Sequence, residues 1–242
     1  MAIIDRGRLI DGSTTMEGGM DSGRSPSMLQ RNQCAYAGNI TFRGGYPTNR
    51  PGFKRVPLTG GSTFEGALFQ GAGFYSDTTN SSLVAVANGL TYTITPPSSG
   101  IAWTVTDITT GNGNANTLSN TRERCHMVQA DEYLIIQDGT TNPFIWDGSA
   151  SDRSAGVAGD EVPVGTGPMA YGNGRLWVAT TARKYVAGDI VGGSTGVLKF
   201  TENTYLNGGG SFSVAAGSGS ITSMVFTAAP NTALGHGELL GM

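Results

Sequence analysis

Lysine is nearly missing from this sequence: three occur in 242 residues, and 12 Arg supply the rest of the positive charge. Charged residues make up only 14%, against roughly 25% in an average globular domain. That scarcity removes the strong basic patch expected of a dedicated nucleic-acid binder. Histidine and cysteine occur twice each. Cys34, Cys125, His126 and His236 contain no pair with metal-ligand spacing, so neither a metal nor a cofactor is expected. The cysteines lie 91 residues apart, and reduced thiols are the expectation. No apolar run approaches the roughly 18 residues of a membrane span. Met1–Arg6 has no apolar leader core, which predicts synthesis in the cytoplasm without an export signal.

What is abundant is equally selective. Gly, Thr, Ser and Asn supply 100 residues, 41% of the chain. All four are poor helix formers and good turn or strand residues, so a helical protein is excluded. The apolar fraction is 38% and the net charge −3; with the apolar residues gathered in short runs, disorder is not expected. Charge is placed unevenly. Residues 1–55 carry +4 and residues 56–242 carry −7, a basic arm joined to an acidic body. The arm is rich in turn-formers such as Gly18-Gly19 and Gly44-Gly45. It has one alternating stretch, Asn39–Arg43, and is read as extended, with one or two short strands.

From about residue 64 the sequence becomes a series of short strands. Leu83–Ala87 is a continuous apolar run, as in a strand covered on both faces. Asn88-Gly89 is the strongest two-residue hairpin signal, and Thr91–Thr95 then alternates. The pattern returns at Asp131-Glu132 and at Asn173-Gly174, so the turns are spaced by 43 and 42 residues. Trp103 follows Gly89 by 14 residues, and Trp146 follows Glu132 by 14. Such a period predicts an all-β chain, a β-propeller built from four-stranded blades of about 42 residues. A β-sandwich or jelly roll is the competing architecture. Ser223–Thr227 and Leu234–Leu240 look like the opening of one more blade. About three and a half blades are then present at residues 56–242, whereas closure takes roughly four to eight. The chain is therefore expected to be part of a longer one, or its ring to be completed by something else.

Catalytic signals are sparse. Cys125 and His126 are adjacent, and strand neighbours point to opposite faces, a poor geometry for a nucleophile and its base. Asp131-Glu132 reads as a solvated turn rather than a glycosidase pair. Asp138-Gly139 and Asp147-Gly148 read as turn chemistry, and no EF-hand pattern surrounds them. No enzymatic residues are assigned.

The arm is more specific. Gly18-Gly19-Met20-Asp21-Ser22, Arg24-Ser25-Pro26-Ser27, Asn32-Gln33, Asn39–Gly45 and Thr48-Asn49-Arg50-Pro51-Gly52-Phe53 follow one another. Ile145–Gly148, Tyr171–Ala179 and Ala187–Ile190 come later. This series resembles the β-propeller tail proteins of tailed bacteriophages, the hub or nozzle type at the distal end of a short tail. The resemblance implies a virion structural protein, usually a hexameric ring of identical copies around a DNA channel. Its partners would be its own copies, the tail adaptor or portal-proximal proteins, and DNA passing without sequence-specific binding. It would help retain the packaged genome and let it pass during ejection. A carbohydrate-binding or host-adhesion propeller is the alternative. Residues 1–55 are expected to be an assembly arm, because too few apolar residues fall in period to bury a core of their own. Arg24, Arg43 and Arg50 are its expected anchors, since guanidinium pairs bidentately with carboxylate. Pro51 and Gly52, after Arg50, would set the direction in which the chain enters the first blade.

Overall fold

The computed structural model describes residues 18–30, 32–36, 38–41, 48–50, 52, 54–59, 64–190, 196–201, 210–227 and 239–241. The chain divides into two units, Met1–Arg55 and Val56–Met242.

In the first unit, β1 (Gly19–Met20) pairs in parallel with β2 (Gln33–Cys34). Between them Pro26–Met28 forms one 3-10 turn. β3 (Ile40–Thr41) pairs antiparallel with β4 (Thr48–Asn49). Asn39 precedes β3 with φ 57°, and its carbonyl accepts the Arg50 N–H at 3.0 Å. Each described strand here is two residues long, so hydrophobic burial contributes little. Met20, Met28 and Tyr36 are all exposed.

The second unit is built from small antiparallel sheets. β5 (Leu58–Thr59) runs parallel to the outer edge of the first sheet. That sheet continues with β6 (Phe69–Ser76), β7 (Ser81–Ala87), β8 (Leu90–Thr95) and β9 (Trp103–Asp107), each antiparallel to the one before. A hairpin of β10 (Thr110–Gly111) and β11 (Asn114–Ala115) follows. The second sheet is β12 (His126–Ala130), β13 (Tyr133–Gln137), β14 (Phe144–Trp146) and β15 (Ser151–Arg153), in that order. The third is β16 (Met169–Gly172), β17 (Arg175–Thr181), β18 (Lys184–Ala187) and β19 (Gly210–Ser213). β20 (Met224–Phe226) pairs with β21 (Leu239–Gly241). The all-β expectation holds: no helix of seven or more residues is present among the described residues.

Strand alternation explains how these sheets stack. Leu134 and Ile136 of β13, with Phe144 and Trp146 of β14, join Tyr75, Val84 and Val86 of the first sheet in one core cluster. Ile135 and Ile145, their sequence neighbours, join Leu176, Val178 and Val186 of the third sheet in a second cluster. The second sheet is thus covered on both faces, which is why β13 reads as the unbroken apolar run Leu134-Ile135-Ile136. Each such side chain contributes about 1.5–3 kcal/mol on burial. Trp177, on the opposite face of β17, packs against Tyr185, Phe212 and Phe226 at ring-centre distances of 6.1, 5.8 and 6.0 Å. The opening strands of the sheets are neighbours: β12 lies beside β6 and β16, and β16 beside β20.

The repeat inferred from turn spacing needs correction. Asn88-Gly89 joins the second and third strands of its meander, β7 and β8, whereas Asp131-Glu132 and Asn173-Gly174 join first and second strands. The first-to-second turn of the first sheet is Asp77–Asn80. Trp103 opens β9, a fourth strand, and is half-buried, while Trp146 ends β14, a third strand, and is buried. The two tryptophans are therefore not equivalent. The opening strands begin 57, 43 and 55 residues apart, so no fixed period of 42 or 43 residues runs through the unit. An Asn-Gly pair suits any two-residue hairpin and carries no information about which strands it joins. β8 also differs from a half-exposed strand: Thr91, Tyr92 and Thr93 are all buried.

Candidate functional site

Among the expected arm anchors, Arg43 and Pro51 lie outside the described residues. Arg24 pairs with its own turn, its Nε 3.3 Å from Asp21 Oδ2. Asp21 Oδ1 also accepts the Gly23 N–H at 3.2 Å. An exposed pair of this kind is worth about 0–1 kcal/mol and holds a local turn. Arg50 is exposed and its backbone continues the β3–β4 hairpin. Gly52 has open space where a Cβ would stand. The described contacts bring no two of Arg24, Arg50 and Gly52 together.

The more organised site is in the second unit, where residues 116–125 cross from the first sheet into the second. Two buried polar side chains pin this crossing. Gln70 Nε2 donates to the carbonyls of Ser119 and Arg122, both at 2.7 Å, and its Oε1 accepts the Gly89 N–H at 2.5 Å. Asp138, 4% exposed, accepts from five donors. Oδ2 takes the Ser119 N–H at 2.6 Å and the Thr141 hydroxyl at 2.8 Å. Oδ1 takes the Thr140 and Thr141 N–H groups at 2.7 and 2.8 Å and the Thr140 hydroxyl at 2.9 Å. Burial pushes the Asp138 pKa up, but the N–H groups of Thr141, Ser119 and Thr140 outweigh it and hold the carboxyl below its ordinary range. Arg153 closes the far side: Nη1 donates to Thr141 Oγ1 at 3.1 Å and to the Asn142 carbonyl at 2.7 Å, and Nη2 to the Thr117 carbonyl.

This pinned crossing borders a cavity of about 530 Å³ lined by Thr121, Arg122, Glu123, Arg124, His126, Asp138, Gly139 and Thr166. Arg122 and Arg124 are exposed. Among the described residues neither guanidinium has a hydrogen bond or ion pair. His126 opens β12 with its half-buried ring against Gly167: a Cβ there would stand 2.4 Å from Nε2. Burial lowers the His126 pKa, and the nearby Arg124 charge lowers it further, so the imidazole is neutral at pH 7. Cys125 lies in the other environment, within the core cluster shared with the first sheet. Burial, with a contribution from Asp138, pushes its thiol up to about 12, which leaves it protonated and a poor nucleophile.

The arrangement offers hydrogen-bond donors and positive charge, which suits binding. Asp131 and Glu132 are exposed at the tip of the β12–β13 turn. Among the described residues no three His, Cys, Asp or Glu side chains are placed to hold a metal. A second cavity of about 270 Å³ lies by β14 and β15, with Asp147, Asp152, Arg153, Glu161 and Lys199 on its walls. There Lys199 Nζ pairs with Glu161 Oε1 at 3.1 Å, and Asp152 Oδ2 accepts from Asn112 Nδ2 at 3.2 Å.

Sequence reasoning missed Arg122 and Arg124. A signal was available: they are two of the five arginines in residues 56–242, and one residue separates them immediately before a strand. No protein-family model, no curated protein and no solved structure matches the chain.

Proposed function

We propose that this chain is a structural protein of a bacteriophage tail, a hub or nozzle subunit that forms a ring around a DNA channel and carries no enzymatic step. The supporting observation is the run of antiparallel meanders with adjacent opening strands: β6, β12, β16 and β20 lie side by side in chain order. Successive propeller blades around an axis would place their opening strands in this way, each hiding its neighbour's face. The resemblance of residues 18–53 to such tail proteins supplies the biological context. Its partners are further copies of itself, hexameric by that resemblance, the adaptor or portal-proximal proteins, and DNA in transit. The acidic body, −7 over residues 56–242, repels a polyanion and suits a wall past which DNA slides.

Electron microscopy of the purified full chain tests this reading. Rings with a central channel are expected, with a mass by light scattering that is an integral multiple of the 25.0 kDa subunit. A monodisperse monomer that binds glycan arrays and never forms rings would replace it with the adhesion reading.

A further inference from the structure

The cavity beside β12 is lined by two arginines whose guanidinium groups have no partner among the described residues. The three polar side chains that pin this crossing are consumed: Gln70 by three partners, Asp138 by five, Arg153 by three. Their bonds fix the backbone that presents Arg122 and Arg124. The Arg122 carbonyl is held by Gln70 Nε2 and the Cys125 N–H by the Gln70 carbonyl at 2.7 Å. A loop anchored on both sides of two free guanidinium groups presents them at low entropic cost.

From this geometry we infer that Arg122, Arg124 and His126 form a binding site for a phosphate ester group, supplied by the DNA backbone. Guanidinium forks match phosphate oxygens bidentately. Thr121, whose hydroxyl shares a hydrogen bond with Ser119 Oγ at 3.0 Å, and His126 line the same cavity. The cavity of about 530 Å³ falls within the roughly 300–1,000 Å³ of small-ligand sites, so a phosphate enters together with its adjoining sugar. Two carboxylates share the wall. The five donors already on Asp138 spend its charge within the protein, and the Glu123 side chain is exposed and forms no ion pair among the described residues. Phosphate contacts of this kind carry no sequence information. A pair of arginines on an otherwise acidic body touches the passing backbone locally, and repetition around a ring multiplies a weak contact by avidity.

The source of the phosphate rests on the proposed tail function; the anion site itself does not. The full chain is titrated with a fluorescent 20-base-pair duplex of arbitrary sequence, and separately with inorganic pyrophosphate by calorimetry. Wild type, Arg122→Ala/Arg124→Ala and Arg122→Lys/Arg124→Lys are compared at several salt concentrations. Both substituted side chains are exposed, and circular dichroism confirms that the variants remain folded. The expected result is sequence-independent duplex binding. Its logarithmic salt slope falls by about 1 for each arginine removed to Ala and is retained in the Lys variant. Equal affinity and slope for wild type and the Ala variant overturn the site. Pyrophosphate binding lost in the Ala variant, without any duplex binding, overturns the DNA source. Electron microscopy of the same preparations separates the two proposals. Rings without phosphate binding remove this inference alone, and phosphate binding without rings removes the tail reading and the DNA source that rests on it while leaving the anion site.

Discussion

At the residue scale, aspartate does much of the work that glycine-rich turns leave undone. Asp77, Asp138 and Asp147 each start a turn and cap it with Oδ1. The N–H groups accepted are those of Thr79 and Asn80 at 2.6 and 2.5 Å, Thr140 and Thr141 at 2.7 and 2.8 Å, and Ser149 and Ala150 at 2.8 and 2.7 Å. All three carboxyls are held below their ordinary pKa. For Asp77 the N–H of Asn80 is the main cause; for Asp138 and Asp147 burial acts first in the opposite direction and the turn N–H groups outweigh it. A lowered carboxyl pKa means that the folded chain binds fewer protons than the unfolded one. The stability is complete above the unfolded carboxyl range and is lost as pH falls through the folded values. The thermal midpoint is therefore expected to fall steadily below about pH 5. Asp138→Asn, whose amide would face the Ser119 N–H and the Thr141 hydroxyl, should cost on the order of 2 kcal/mol at neutral pH. It should also flatten the acid limb of the stability curve. Denaturant melts at pH 7, 5 and 3.5 check both; an unchanged acid limb in the variant contradicts the assignment.

At the element scale, two hairpins of the same chemistry sit in different surroundings. Asn88-Gly89 and Asn173-Gly174 both place two residues in the left-handed region, with φ 51° and 77° in one and 54° and 70° in the other. That is the twist a two-residue hairpin requires. A Cβ on Gly89 would lie 2.4 Å from the Leu118 carbonyl oxygen, whereas on Gly174 it would meet nothing within 4 Å. Gly174→Ala is expected to cost only the left-handed strain, about 1–2 kcal/mol. Gly89→Ala should cost clearly more, because the crossing at Leu118 must also shift. Equal losses in parallel denaturant melts would show that the crossing yields freely. The same comparison shows what the sequence can and cannot reveal. The strands around both Asn-Gly pairs, and the largely buried run at Leu83–Ala87, are legible because turn and burial chemistry are local. The topological rank of each hairpin is not. The Asp77–Asn80 turn, which opens the first meander, has no glycine and takes its shape from a carboxylate, so the eye passes to Asn88-Gly89 instead. The phosphate-facing arginines were hidden for a related reason: their significance depends on Gln70 and Asp138, which are 52 residues before and 14 after Arg122 and Arg124, respectively.

At the scale of the whole molecule, the two units differ in what holds them. In residues 56–242 two core clusters bury Val, Ile, Leu, Phe and Trp side chains between successive sheets. The described strands of residues 1–55 are two residues long, and among the described residues Met20, Met28 and Tyr36 are exposed while Leu29 and Ile40 are half-buried. Ordering a backbone costs roughly 1–2 kcal/mol per residue, which hairpins of two-residue strands do not offset alone. The segment carries +4 and the remainder −7, so charge favours an acidic surface as its resting place, although Arg24 is already engaged with Asp21 in its own turn. Under the proposed tail function, the surface that matters belongs to a neighbouring copy. Deleting residues 1–40 is then expected to leave the β-sheet circular dichroism signal and the main melting transition in place while abolishing rings in electron micrographs. High salt should weaken wild-type ring assembly in the same direction, because the Debye length shrinks from about 10 Å at 0.1 M to about 3 Å at 1 M. A truncated chain that forms rings in normal yield would remove the arm from assembly, whereas one that fails to fold would make residues 1–40 part of the core structure instead.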